Sequence, residues 1–478
     1  MSPKHVFAHY MVGNTYPYTA REWEQDLVDC AERAALDGFV LNVGREEWQR
    51  DRVLDCFATA LAMRSPLKFF LSFDMSSIPA ATPADVDFLC DYMSRLAHHP
   101  NMFRYHGRVV VSTFAGEGAT FGCSSLDEAW LLVKRRLGEY APIFFMPAFF
   151  IDPARYPSLS SMDGSFHWNG GWPLHLSPTC HRREIEMPAL DSDKHHLRHL
   201  GGRAYMAAVS PWFFTHYGAD SWNKNWIYRG DDWLYVRRWE QIMSIRAQID
   251  IVQVISWNDY GESHYIAPVR GAQPNSQAWV DGFPHDPWMT LTAYFARAFR
   301  DGHAPPILRD RIFMWARPHP RDAPADETIP RPANWELTDD KFWVVVLATA
   351  PAKVILSTGG DEGAHVSGHD DAPDRGKPSR SFTSRLKETF TSRAAADPAV
   401  SPQSSEPATY TVSAGLTKLS HALRPGNGMR AQMKRGGAVV AECAPTEFCF
   451  EATPSVHNFN AFVADSDDCS SSEGYEMS

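Results

Sequence analysis

With 44% hydrophobic and 22% charged residues, the 478-residue chain is excluded from the disordered class, and it is too long for one ordinary core, so one large and one small domain are expected. Its 57 acidic against 46 basic side chains leave a formal charge of −11, which argues against a polyanionic partner such as nucleic acid. No apolar run is long enough to span a bilayer, and residues 1–10 carry no secretory apolar stretch, so the expectation is a monomer without a leader or membrane partner, cytoplasmic or released without a leader.

From the N-terminus, short apolar runs alternate with longer segments of helical period, as in βα units around a parallel sheet. The expected strands are Val6–Met11, Gly38–Val43, Lys68–Phe73, Arg108–Phe114, Ile143–Phe149, Gly164–Trp168, Ala204–Val209 and Ile251–Trp257. Several are apolar throughout, which suits strands covered on both faces. Thr19 with Glu22, and Ser125 with Glu128, read as capping boxes that open helices ending near Asp37 and Gly138. Further helices are expected at Glu47–Met63, Pro83–His98, Asp231–Gln248 and Pro287–Arg300, while Ser177–Leu200 gives the weakest signal. Eight such units without a Gly-rich phosphate fingerprint predict an α/β fold, a (β/α)₈ barrel over residues 1–304.

After Pro305 and Pro306 the helical period disappears. Ile312–Ala316, Phe342–Thr349, Val354–Ser357, Tyr410–Val412 and Ala438–Cys443 read as strands of a smaller all-β, sandwich-like domain over 305–465. Trp335, Phe342 and Trp343 offer apolar surface for packing it on the barrel. A Ser-, Pro- and Asp-rich tract over 361–407 holds too few large apolar residues to offset the entropy of ordering, a short helix at Ser384–Phe390 aside, and 466–478 reads as a disordered acidic tail. The eight Cys are scattered with no zinc-like spacing, so no metal is expected; Cys443 and Cys449 are the close pair to watch for a disulfide.

A barrel builds its pocket at the carboxyl ends of its strands. There the sequence delivers His9 and Tyr10, Asn42, Asp74, Trp168, Trp212 with His216 and Tyr217, and finally Trp257-Asn258-Asp259-Tyr260-Gly261-Glu262-Ser263. Two carboxylates flanking a Gly among aromatic residues are the sharpest chemical signal. Cleaving a glycosidic bond needs one carboxyl to protonate the leaving oxygen and a second to activate water or attack carbon. Asp259 and Glu262 can supply both, with Asp74 facing them across the mouth. His9, Tyr10, Asn42, Trp168, Trp212, Trp257, Asn258 and Tyr260 are the candidate substrate contacts, and each has an alternative role in barrel packing. No nucleophile elbow, zinc-protease run or Walker loop is present, and the pair His195 and His196 falls on a polar segment expected to be exposed.

On the stretches Val6 to Asn14, Gly38 to Asn42, Leu71 to Met75 and Trp257 to Ser263, in that order, the chain resembles glycoside hydrolase family 71, the fungal α-1,3-glucanases or mutanases. The resemblance implies hydrolysis of α-1,3-glucan with inversion and no cofactor, and it marks Asp74, Asp259 and Glu262 as the essential carboxylates. Hydrolysis of another α-glucan linkage and a catalytically silent glucan-binding barrel are the alternatives. Three extended residues and a turn at Gly261 would leave room for a water between Glu262 as acid and Asp259 as base, with Asp74 the alternative base.

Overall fold

A computed structural model describes residues 3–174, 176–177, 180, 190–228, 232–358 and 406–467. Most of the tract from Asp361, with its expected short helix, and the tail beyond Asp467 lie outside the described residues. Eight parallel strands run in chain order: β1 His5–Met11, β2 Gly38–Val43, β3 Lys68–Asp74, β4 Arg108–Phe114, β5 Ile143–Phe145, β6 Gly164–His167, β7 Ala204–Val209 and β8 Ile251–Val254. Regular ladders join β5-β4-β3-β2-β1-β8-β7-β6. The circle closes between β5 and β6, where Asp163 N donates to Phe145 O (2.8 Å) and Phe166 N to Pro147 O (2.9 Å). The chain is therefore a (β/α)₈ barrel with a separate all-β region behind it.

Strand alternation decides what each residue meets, because successive side chains point to opposite faces. Phe7, Val40, Phe70, Val110, Phe144, Phe166, Met206 and Ile251 fill the barrel interior, while Val6, Ala8, Tyr10, Phe39 and Leu41 point outward under the helices. Two residues further along the inward parity come His9, Asn42, Ser72, Ser112 and Gln253, a polar layer beneath the carboxyl-end mouth.

The first helix, Ala20–Val28, opens on the expected capping box between Thr19 and Glu22, then passes through a wider turn over Asp29–Arg33. At the second, the Ser125 hydroxyl accepts from Glu128 N (3.3 Å), but the Glu128 carboxylate turns back to Ser124 rather than Ser125. Between β5 and β6 a short 3₁₀ turn, Pro153–Ser158, replaces a full helix. The weak segment before β7 forms a helix over Asp191–Leu200. On it His195 is only partly exposed, and His196 is buried, bonded to the Tyr156 hydroxyl (3.1 Å) and stacked on His167.

Behind the barrel lie two four-stranded antiparallel sheets. The first orders Gly415–Ala422, Lys341–Ala348, Arg311–Ala316 and Phe462–Asp465; the second orders Ala408–Val412, Ala352–Ser357, Arg430–Arg435 and Ala438–Cys443. Ile312, Met314, Phe342, Val344 and Val346 face the second sheet, while Phe313, Trp315, Trp343, Val345 and Leu347 join the core of the barrel's helical layer. The central strands of the first sheet, Arg311–Ala316 and Lys341–Ala348, are thus buried on both sides, which explains their apolar runs. Of the three residues expected at the junction, Phe342 points into the sandwich instead, while Trp343 stacks edge-on to Trp233 (4.8 Å) and Trp335 packs against the barrel-side core. Cys443 lies in the sandwich core and Cys449 on the surface, and no disulfide joins them.

Candidate active site

The strand β8 leads into a closed loop. The chain passes a cis peptide at Ile255–Ser256, and Ser256 N and Ile266 N bond back to His264 O (2.8 Å) and Ser256 O (3.0 Å). Trp257 N reaches His9 O (2.7 Å), which prolongs the pairing with β1. From Ile251 to Ala267 every residue is buried except Asp259 and Glu262. The loop therefore spends its apolar residues on anchoring and presents its two carboxylates. A side chain at Gly261 would place Cβ 2.2 Å from the Tyr217 hydroxyl, so the close approach of Tyr217 demands the glycine; the left-handed residue of this turn is Ser263 (φ 57°).

Asp259 and Glu262 line one cleft with Met11, Asn14, Tyr217, Trp222 and Lys224. Glu262 Oε1 accepts from Lys224 Nζ (3.2 Å), and its Oε2 lies 3.1 Å from His264 Nε2. Ser256 Oγ accepts from Asp259 N (2.9 Å) and lies 2.9 Å from His264 Nδ1. The Nε2–H of His264 donates to Glu262, with Ser256 Oγ on the other ring nitrogen. Burial and the neighbouring Glu262 charge push the Asp259 carboxyl above the usual aspartate range. Burial acts the same way on Glu262, but the hydrogen bond and charge of His264, with Lys224, outweigh it and hold that carboxyl well below the usual range.

These shifts run opposite to the expectation of Glu262 as acid: Asp259 is the carboxyl shifted up, and Glu262 the one held down. One oxygen of each carboxylate lies within 4.8 Å of an oxygen of the other. Asp74 sits at the end of β3, outside that cleft, and accepts from Ser76 N (3.0 Å) and Ser76 Oγ (2.5 Å); burial raises its pKa. Its charge is nevertheless felt by Lys224, as are those of Asp259 and Glu262.

Among the expected substrate contacts, His9 and Asn42 face the barrel axis in the polar layer. His9 Nδ1 accepts from Gln253 Nε2 (2.9 Å), and burial, reinforced by His264, pulls its pKa down to about 3, so the ring is neutral. Trp168 meets His9 edge-on (4.7 Å) and lines a second cleft with Phe150 and His196. The other five are corrected by the structure. Tyr10 points outward, and its hydroxyl donates to Asp26 (2.7 Å) under the first helix. Trp212 donates to Phe459 O (2.9 Å) in the contact with the β sheets. Trp257 is buried against Phe39, and the Tyr260 hydroxyl bonds Arg270 O (2.7 Å). The Asn258 amide clamps Met11 N (2.7 Å) and Met11 O (3.1 Å), tying the last strand to the first. None of these side chains has surface left for a sugar.

Sequence reasoning missed Lys224, Trp222 and His264. The first two sit on a hairpin, Phe214–His216 paired with Asn225–Ile227, that docks on the loop through Phe214 N to Glu262 O (3.1 Å). Trp222 is 52% exposed and edge-on to Tyr217 (4.5 Å), a flat apolar wall beside the carboxylates. The available signal was a Trp within the polar run Asp220-Ser221-Trp222-Asn223-Lys224, where no core could account for it.

A family model described as glycosyl hydrolase family 71 matches residues 2–375. Over 361 residues the chain is 38% identical to glucan endo-1,3-alpha-glucosidase agn1 of Schizosaccharomyces pombe, covering 74% of this chain and 80% of that protein. It is 32% identical over 363 residues to a mutanase of Penicillium rubens, with 74% and 75% covered. To the ascus wall endo-1,3-alpha-glucanase of Schizosaccharomyces pombe it is 31% identical over 375 residues, with 75% and 82% covered. On a family match that takes in the whole barrel and the paired carboxylates at its mouth, the chain belongs to glycosyl hydrolase family 71.

Proposed function

We propose that this chain is a glucan endo-1,3-alpha-glucosidase, hydrolysing α-1,3-glucosidic bonds with Asp259 as the proton donor. The observation that carries the reading is the split pair at the end of β8, one carboxyl pushed up and its neighbour held down. The names of the relatives, two α-1,3-glucanases and a mutanase, supply the linkage. Asp259 gives its proton to the leaving glycosidic oxygen, and Lys224 compensates the charge that remains. Glu262, ionised and fixed by Lys224 and His264, offsets the positive charge that develops on the sugar ring. Asp74 activates the water from another strand, so the bond is inverted and the β-anomer forms first.

The closeness of Asp259 and Glu262 favours one other reading, in which Glu262 attacks the anomeric carbon as in a retaining pair about 5–5.5 Å apart. Proton NMR of the first products, recorded before mutarotation, separates the two: β-anomer supports Asp74 as base, α-anomer supports Glu262 as nucleophile. The activity itself is tested by reducing ends released from insoluble α-1,3-glucan against soluble starch. Release from starch alone would refute the linkage.

A further inference from the structure

Beside the active-site hairpin, three metal-ligating side chains from distant parts of the sequence converge. His216 comes from the hairpin, Glu327 from the loop that joins the sandwich strands Arg311–Ala316 and Lys341–Ala348, and His457 from the segment before the last strand. One ligand atom of each lies within 4.8 Å of the other two. His216 Nε2 is 3.0 Å from Glu327 Oε2, and His457 Nδ1 is 2.9 Å from Glu327 Oε1. The rings are 2% and 8% exposed, so solvent does little to screen the cluster.

The neighbours decide where the ring protons are. Asn225 Nδ2 donates to Pro330 O (2.7 Å), which turns its Oδ1 toward His216 Nδ1 (2.8 Å). His216 therefore carries its proton on Nδ1 and aims the Nε2 lone pair at Glu327. The His457 ring is hydrogen-bonded to the Ile329 backbone, while its buried Nδ1 has no hydrogen-bond partner among the described residues although the Glu327 carboxylate stands beside it. Two imidazole lone pairs and a carboxylate held within 4.8 Å of one another in a buried place repel unless a cation lies among them.

We propose that His216 Nε2, His457 Nδ1 and the Glu327 carboxylate bind one zinc ion. Two imidazoles and one carboxylate form a donor set that zinc takes and that calcium and magnesium, which want oxygen ligands, do not. Asn225 and the Ile329 backbone orient the rings as outer partners do in zinc sites. The ion pins the hairpin to both the sandwich loop that carries Glu327 and the C-terminal segment. Because Lys224 directly precedes Asn225, it also steadies the cation that reaches Glu262.

The test uses the full chain, stripped with dipicolinate and titrated with zinc chloride, with uptake read by calorimetry and elemental analysis and site geometry by the visible spectrum of the cobalt(II) form. One equivalent should bind, raise Tm and give the intense bands of tetrahedral cobalt. His457→Gln and Glu327→Gln should weaken binding by at least about 100-fold, and Asn225→Ala, which keeps all three ligands, by about 10–100-fold. Glu262→Gln, which breaks the other histidine and carboxylate cluster at Asp259, Glu262 and His264, should leave zinc binding unchanged. The proposal falls if the folded chain takes up no zinc at micromolar concentration, if binding survives both His457→Gln and Glu327→Gln, or if Glu262→Gln abolishes it.

Discussion

Lys224 Nζ stands 3.2 Å from Glu262 Oε1, so a cation that favours the ionised form of this carboxylate arrives on a hairpin 38 positions earlier in the chain. It favours the charged form of both Asp259 and Glu262.

Lys224→Met should therefore raise both pKa values. The acid limb of kcat/KM, set by ionised Asp74, whose carboxyl Lys224 also pulls down, and the alkaline limb, set by protonated Asp259, should both move to higher pH. Lys224→Arg should restore the original profile. Limbs that stay in place while activity falls would mean that Lys224 acts only as packing.

Asp259→Asn and Glu262→Gln keep shape but remove proton transfer or charge, and each should lower kcat at least about 100-fold. Since both side chains face the cleft, Tm should hold or rise. A variant of Asp259 with near-normal turnover would overturn its role as donor.

Trp222 contributes surface and no chemistry. Trp222→Ala should raise KM about tenfold, the equivalent of about 1.4 kcal/mol of lost stacking, with kcat nearly unchanged. Steady-state kinetics on soluble α-1,3-linked oligosaccharides read this, and an equal fall in kcat with KM unchanged would contradict a binding wall.

Away from the mouth, Asp193 and Arg238 form a doubly bonded buried pair (2.7 and 2.8 Å) that fastens the helix Asp191–Leu200 to Leu234–Ser244. Burial would raise the Asp193 carboxyl, but the charge and hydrogen bonds of Arg238 bring it down to about 2. That lies below the unfolded value of about 3.9, so the stabilisation is present above about pH 4 and is lost as pH falls towards 2. Asp193→Asn should cost about 3–5 kcal/mol in urea unfolding at pH 6, and the gap to the wild type should narrow at pH 3.

A chain ending at Gly302 would expose the barrel surface now covered by Phe313, Trp315 and Trp343. At about 1.5–3 kcal/mol for each large apolar side chain, the loss is on the order of 5 kcal/mol or more. The shortened chain should aggregate or melt well below the full chain in scanning calorimetry. Equal solubility and Tm would show that the sheets are not needed for barrel stability.

The sequence by itself determined the barrel. Strands such as Val6–Met11 and Gly38–Val43, apolar on both faces, fit a closed sheet under helices, and that pattern is local. It also located Asp259 and Glu262, because carboxylates after a buried strand have few places to go except the mouth. The parity of β1 was legible too: His9 and Tyr10 are adjacent on one strand, so only one could face the axis. Half-exposed strands such as Arg430–Arg435 were not, since their charged residues hide the alternation until a partner sheet covers one face.

Only the tertiary structure decided how the site is charged. Which carboxyl keeps its proton depends on Lys224 and His264, and the distance between the two oxygens depends on how the loop closes at Ser256 and Ile266. Trp257, Asn258 and Tyr260 look like a binding surface in sequence and are the anchors that hold this loop to β1 and the core. His216, Glu327 and His457 carry no spacing signal at all. The physical reason is common to these cases: Coulombic and hydrogen-bond energies depend on distances between atoms, and residues far apart in the chain acquire those distances only when the barrel and the sheets pack together.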